Sequence, residues 1–262
     1  MKTNLIFSLA TVLALPAWAA DPADEIKAAA GKLADQPNYS WTAKVESAQQ
    51  NQQNQPGRGR GFGGGSPPSG KMEKGGFAVL TYKIGDNTTE AVRKGDKVAI
   101  KSEDEWKTAE ELTEDTGGGG GGGGFNPQRF LARRVQQAKF PAAEAQELAG
   151  RVKELKKDGD AYSGELTAEA LKQMFTFGGR QGGGGGGGGG RGAPDTSGLK
   201  GTAKFWVKDG ALAKYETHVQ GKMTFGQDNQ EREINRTTTV EIKDVGSTKV
   251  EVPAEAKKKL KA

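Results

Sequence analysis

Short stretches in which apolar and polar residues alternate recur along most of this chain, and glycine- or aspartate-bearing turns separate them. The alternation runs over residues 39–46, 77–84, 88–93, 97–101, 152–157, 161–166, 201–207, 211–219 and 234–245, with shorter pieces at 223–225 and 249–252. Period-two alternation places one face of each stretch inside and the other in water, which describes a half-buried strand. The separators are Gly85-Asp86-Asn87, Gly95-Asp96, Asp158-Gly159, Asp209-Gly210 and Gly246-Ser247. Turns this tight join only antiparallel neighbours, because a parallel pair needs a long crossover. About nine or ten strands are therefore expected in one antiparallel meander.

Helical signals are fewer and shorter. Asp21-Pro22 starts a helix with a capping carboxylate and a proline at its first position, and Ile26, Ala29, Ala30 and Leu33 then share one face. Asn126-Pro127 opens a second helix, with Phe130, Leu131 and Val135 as its stripe. Residues 141–148 form a third, and Thr167 caps a fourth that carries Leu171, Met174 and Phe175. Pro253 precedes a short last helix rich in lysine. Helices this few and clustered do not make βαβ units. The expected fold class is α+β: a single large, strongly curved antiparallel sheet with short helices over one face.

Most of the 41 glycines fall in three stretches within 48–70, 115–125 and 178–198. These are low-complexity insertions with nothing to bury, expected to be disordered loops inside one domain spanning 20–262. Long loops are tolerated because closure entropy rises only logarithmically with length. Residues 1–19 read as a signal peptide: Lys2, an apolar run from Leu5 to Leu15, then Ala17-Trp18-Ala19 as the cleavage site. That run is too short to span about 30 Å of hydrocarbon. The expected location is the periplasm or the exterior of a bacterium, with no transmembrane segment in the mature chain.

Composition removes several chemistries. There is no cysteine and one histidine, so disulfide frameworks, thiol nucleophiles and Cys- or multi-His metal sites are excluded. A net charge of +5 over 27% charged residues is too dilute to point to nucleic acid. Arg58, Arg60, Arg180 and Arg191 sit in glycine tracts similar to RNA-binding segments, but neutral expansion of loops explains them better. No tract ends in Gly-Lys-Ser/Thr, so a phosphate-binding loop is not supported. His218 is expected on a mostly polar strand face with Leu212, Lys214 and Glu216 and no nucleophile beside it. The acids at 103–105 and at 110–115 read as a solvated rim, with a carboxylate hydrolase as the weaker alternative. No catalytic residue, metal or cofactor is assigned, and the chain is read as a non-enzyme.

Two strands are apolar on both sides: Phe77/Val79 against Leu80/Tyr82/Ile84, and Phe205/Val207 against Trp206. Such strands need two covers. One can be the helices; the other can be ordinary packing or a cavity for an apolar ligand. The residues suited to lining such a cavity are Trp41, Leu80, Tyr82, Ile84, Phe205, Val207, Tyr215, Met223 and Phe225.

The order of elements resembles the LolA/LppX-type periplasmic lipoprotein carriers. Ala203-Lys-Phe-Trp206-Val-Lys-Asp209-Gly210-Ala-Leu212-Ala-Lys214 is similar to that family's Trp-Val hairpin, and Thr239-Val-Glu-Ile-Lys-Asp244-Val-Gly246 with Val250-Glu-Val-Pro253 is similar to its closing strands. The resemblance spans most of 21–260 outside the glycine tracts. It implies an unclosed β-barrel covered by helices, and a concave cavity that holds a lipid, an acyl chain or a lipidated partner. The expected function is thus an exported envelope protein that binds or carries an apolar ligand, with helix-bearing loops as a lid. The alternative is a structural module that touches an envelope protein or an anionic polymer through the glycine-rich loops and the basic tail at Lys257–Lys261.

Overall fold

A computed structural model describes residues 21–47, 67–84, 87–114, 127–176, 195–225 and 230–261. The expected signal peptide and most of the three insertions lie outside these residues. The strands are β1 (Asn38–Ser47), β2 (Ser69–Glu73), β3 (Ala78–Ile84), β4 (Asn87–Lys94), β5 (Lys97–Ser102), β6 (Glu105–Thr108), β7 (Val152–Asp158), β8 (Ala161–Leu166), β9 (Leu199–Lys208), β10 (Ala211–Phe225) and β11 (Gln230–Lys243). The helices are α1 (Pro22–Ala34), α2 (Glu111–Glu114), α3 (Pro127–Gln137), α4 (Pro141–Ala149), α5 (Ala168–Thr176) and α6 (Ala254–Lys259).

All eleven strands belong to one sheet in the order β6-β5-β4-β3-β2-β1-β11-β10-β9-β8-β7. The chain walks out along one wing from β1 to β6 and passes through α2, α3 and α4. It then returns along the other wing from β7 to β11 and closes β11 against β1, with Trp41 opposite Ile242. The sheet is curved and unclosed. β6 and β7 are its edges. Lys153, Lys156 and Lys157 and a register shift within β7 keep that edge from templating another chain.

Side-chain alternation divides the sheet into two faces. The concave face carries Tyr39 and Trp41 on β1, Leu80 and Tyr82 on β3, Phe205 on β9, Tyr215 on β10 and Val240 on β11, all buried. Ile26, Ala30 and Leu33 of α1, Leu131 and Val135 of α3, Ala145 and Leu148 of α4 and Leu171 of α5 close over them. α1 starts as its sequence predicts: the Asp21 carboxylate accepts from the Ala23 amide at 3.0 Å.

The convex face has a second, smaller core of Val92, Ala99, Trp106, Ala256 and Leu260, with Phe77, Val79 and Val252 packed on it. α6 is its cover. This accounts for the two-sided β3: Leu80 and Tyr82 meet the concave helices, while Val79 stands beside Val92 on the other side. Helices on one face describe α1–α5 but leave out α6.

Four local differences have physical causes. β2 falls partly inside the expected insertion at 48–70. It needs Gly70, because a Cβ there would stand 2.7 Å from the Val79 carbonyl oxygen and 2.8 Å from the Trp41 ring. Residues 223–225 continue the same fifteen-residue strand as 211–219. Residues 249–252 alternate but form no strand. Asn38 holds the preceding turn, accepting from the Gly246 amide with its carbonyl and from the Thr248 amide with its side chain, both at 2.8 Å, and the chain then crosses to the convex face. The register shifts between Leu212 and Lys214, which turns Leu212 into the core and away from the face of His218.

Candidate ligand site on the concave face

The lower part of the concave face is sealed. The Tyr39 and Trp41 rings lie 5.8 Å apart at a tilt of 52°, Phe140 meets the Trp41 ring edge-on at 6.0 Å, and the Trp41 indole donates to the Pro68 carbonyl at 2.7 Å. Tyr215 stands directly across from Phe205, and its hydroxyl donates to Glu144 of α4 at 2.7 Å. Burial pushes the Tyr39 phenol up to about 12 and raises the Glu144 carboxyl more than the Tyr215 bond and the Lys139 charge lower it.

Above Trp41 the same face changes character. On β1 the inward residues Ala43, Val45 and Ser47 are only half-buried, as are Thr238, Arg236 and Ile234 on β11 and Thr217 on β10. The register aligns them in rows: Val45 beside Thr238 beside Thr217, then Ser47 beside Arg236 beside Val219. Helices flank these rows. α3 packs on β4 and β5, and α5 packs on β9, where its Leu171 lies against Gly201. A Cβ at Gly201 would stand 2.9 Å from that leucine and 2.7 Å from Leu166, so glycine is what lets α5 sit this low. Met174 and Phe175 of α5 are half-buried beside the core. The result is a half-exposed strip of small, β-branched and polar side chains on the concave face, between the strands on which α3 and α5 pack.

α3 carries one partly buried charge on this side. The Arg134 guanidinium lies over the Tyr82 ring, 5.6 Å from its centroid. Burial pushes the Tyr82 phenol up to about 12, and the charges of Arg134 and Arg93 hold it back. Arg134 and Arg236 are both lowered, chiefly by desolvation, and the Arg134 charge contributes to the lowering of Arg236. Arg93 is committed elsewhere: it donates to the carbonyls of Ala138 at 2.7 Å and Val135 at 3.3 Å, which ties down the end of α3.

Of the residues proposed from the sequence, Trp41, Leu80, Tyr82, Phe205, Tyr215 and Met223 are buried under the helices, each 4% exposed or less. Val207 is half-buried at the margin of the same core. The side chains of Ile84 and Phe225 lie outside those described. The half-open residues Ala43, Val45, Ile234, Arg236 and Thr238 were not singled out. Ranking side chains by size favours aromatics and passes over Ala, Thr and Arg; the alternating run Ile234-Asn-Arg-Thr-Thr-Thr-Val240 was the available signal.

The remaining chemical candidates are dispersed. His218 is half-buried, its Nδ1 3.0 Å from the Thr237 hydroxyl. Glu103 and Asp104 make the turn between β5 and β6, beside a shallow open depression. Glu111 accepts from the Thr108 amide at 2.8 Å and pairs with Lys259, so it joins α2 to α6 around the sheet edge. Lys257 lies over Phe77 at 5.8 Å, which commits part of the basic tail to packing. The glycine-tract arginines lie outside the described residues. Among the described residues no group of three acids or histidines is placed to hold a metal, and no helix is long and apolar enough to cross a membrane.

No family profile and no curated protein matches the sequence. Among solved structures the chain is similar to LprF from Mycobacterium bovis, at 11% identity and a TM-score of 0.41, covering 89% of this chain and 96% of that one. It is also similar to the lipoprotein LppX of Mycobacterium tuberculosis, at 12% identity and a TM-score of 0.42, covering 88% and 97%.

Proposed function

We propose that this protein is an exported, non-enzymatic carrier that binds an acyl chain, free or on a lipid or lipidated partner, in the trough between α3 and α5. The observation that carries the reading is the half-exposure of Ala43, Val45, Ile234 and Thr238 on a face that is otherwise sealed. A well-packed sheet buries its inner face completely, and a row left open beside a core is an apolar surface awaiting a cover. An acyl chain laid along it gains about 0.8 kcal/mol per buried methylene before the cost of association. Tyr82, Phe205 and Met223 would meet the chain only if α3 or α5 shifted outward. Export rests on the leader-like residues 1–19.

The test is titration of the full chain with a fluorescent fatty-acid probe. The expected result is saturable binding that Val45→Glu and Ile234→Glu abolish and that Lys258→Glu, on the convex helix, leaves unchanged. Absence of saturable binding in the wild type overturns the reading.

A further inference from the structure

We infer that Thr238 of β11 and Thr217 of β10 together receive the carbonyl oxygen of an ester-linked acyl chain, and so select an acyl ester among the apolar ligands that the concave strip can hold. This deepens the carrier reading and rests on it.

The first observation is where the two hydroxyls stand. Thr238 and Thr217 are directly opposite each other in the pairing of β11 with β10. Both belong to the concave face, since Thr217 lies two residues after the buried Tyr215 and Thr238 two residues before the buried Val240. Both are half-buried. Their row continues to Val45 of β1 on one side and to Ala203 of β9 on the other, and it holds no charged side chain. Ala43 and Val240 form the row below, and Ser47, Arg236 and Val219 the row above.

The second observation is the contrast within the run Thr237-Thr238-Thr239. Thr237 and Thr239 face the convex side, and the sheet engages both hydroxyls there. Thr237 lies 3.0 Å from His218 Nδ1, and Thr239 donates to the Glu216 carboxylate at 3.2 Å. The inward hydroxyl of Thr238 has no hydrogen-bond partner among the described residues, and neither has that of Thr217. Strand propensity does not call for threonine at these two positions, because valine suits a strand equally well and fills the neighbouring places at Val45 and Val219.

A plain hydrocarbon laid over the pair excludes water from both hydroxyls and returns no acceptor, which weakens its binding. A carbonyl oxygen has two lone pairs and can accept from both donors at once. Residues directly opposite in an antiparallel pair have Cβ atoms about 5 Å apart, which lets two hydroxyls converge on one oxygen. A carboxylate would bring a full charge into a row of neutral side chains, so the uncharged carbonyl of an ester is the better complement.

The experiment displaces a fluorescent fatty-acid probe from the full chain with monooleoylglycerol or with its ether analogue, oleyl glyceryl ether. The two share head group and chain length and differ at the carbonyl. The ester is expected to bind about fivefold or more tightly, the worth of an ordinary neutral hydrogen bond or two. Thr238→Val and Thr217→Val keep the branched shape and should each remove most of that preference, with ether binding unchanged or tighter. Thr238→Ser, which retains a hydroxyl, should keep the preference. Thr237→Val, on the outward face, should leave both ligands unchanged; an equal loss of ester preference in that variant would overturn the assignment. Oleate bound more tightly than the ester, with the same dependence on Thr217 and Thr238, would overturn the ester in favour of a free acid. Equal displacement by ester and ether in the wild type overturns this inference and leaves the carrier reading standing. Failure of the probe to bind overturns the carrier reading, and this inference falls with it.

Discussion

Tyr215 donates its hydroxyl to Glu144 at 2.7 Å, and this bond ties the middle of β10 to α4 inside the concave layer. Replacing Tyr215 by Phe keeps the ring and removes the donor. Glu144 then loses a hydrogen bond that its enclosed carboxyl cannot fully recover from water. The expected cost is about 1–3 kcal/mol of unfolding free energy, read from urea denaturation. No loss would mean that water replaces the hydroxyl without penalty.

The same carboxyl makes stability depend on pH. Burial raises the Glu144 pKa above its ordinary 4.5 in the folded state. The folded protein then holds that proton more tightly than the unfolded chain does. The stabilising contribution is fully present below the unfolded value and is lost as pH rises through the folded one. Wild type minus Glu144→Gln isolates this group from Glu25 and Glu111, whose partners Tyr162 and Lys259 lower them. The difference in stability should shift in favour of the wild type as pH falls from neutral toward 4.5. A flat difference would contradict the burial of the carboxyl.

Gly70 is the point where β2 passes beneath the Trp41 indole. A methyl group there has to displace the ring or the Val79 carbonyl, neither of which is the free end of a flexible side chain. Gly70→Ala is expected to cost about 1–3 kcal/mol and to move the tryptophan emission as the Trp41–Pro68 bond loosens. An unchanged spectrum and stability would show that β2 is held less closely than described.

The convex core depends on a short helix at the end of the chain. Leu260 is 3% exposed and packs with Val92, Ala99 and Trp106. Leu260→Ala is expected to destabilise the fold by about 2 kcal/mol or more and to raise dye binding to the exposed convex patch. A neutral effect would mean that α6 is not the cover of this face.

How much of this was legible in the sequence differs from element to element. The β9–β10 hairpin could be read directly, because Asp209 and Gly210 both take positive φ, 53° and 72°, and few residue pairs do so cheaply. The capped start of α1 was equally plain. β2 was not, because its five residues Ser-Gly-Lys-Met-Glu offer one apolar side chain, and pairing to β1 and β3 is what makes it a strand. The place of Leu212 could not be read either, since a one-residue irregularity in β10 reverses its side. The trough escaped for a different reason. Its residues Ala43, Val45, Thr238 and Arg236 follow the same alternation as the sealed ones and differ in being left half-exposed, which tertiary packing decides. Large aromatic side chains marked the sealed floor instead.

The most direct test is whether an acyl chain touches these residues. Nuclear Overhauser contacts between the methylenes of isotope-labelled oleate and the methyl groups of the full chain would answer it. Contacts to Ala43, Val45, Ile234 and Thr238, with none to Val92 or Leu260 on the convex face, are the expected result. Contacts confined to the convex face, or none under saturating oleate, would contradict a ligand trough between α3 and α5.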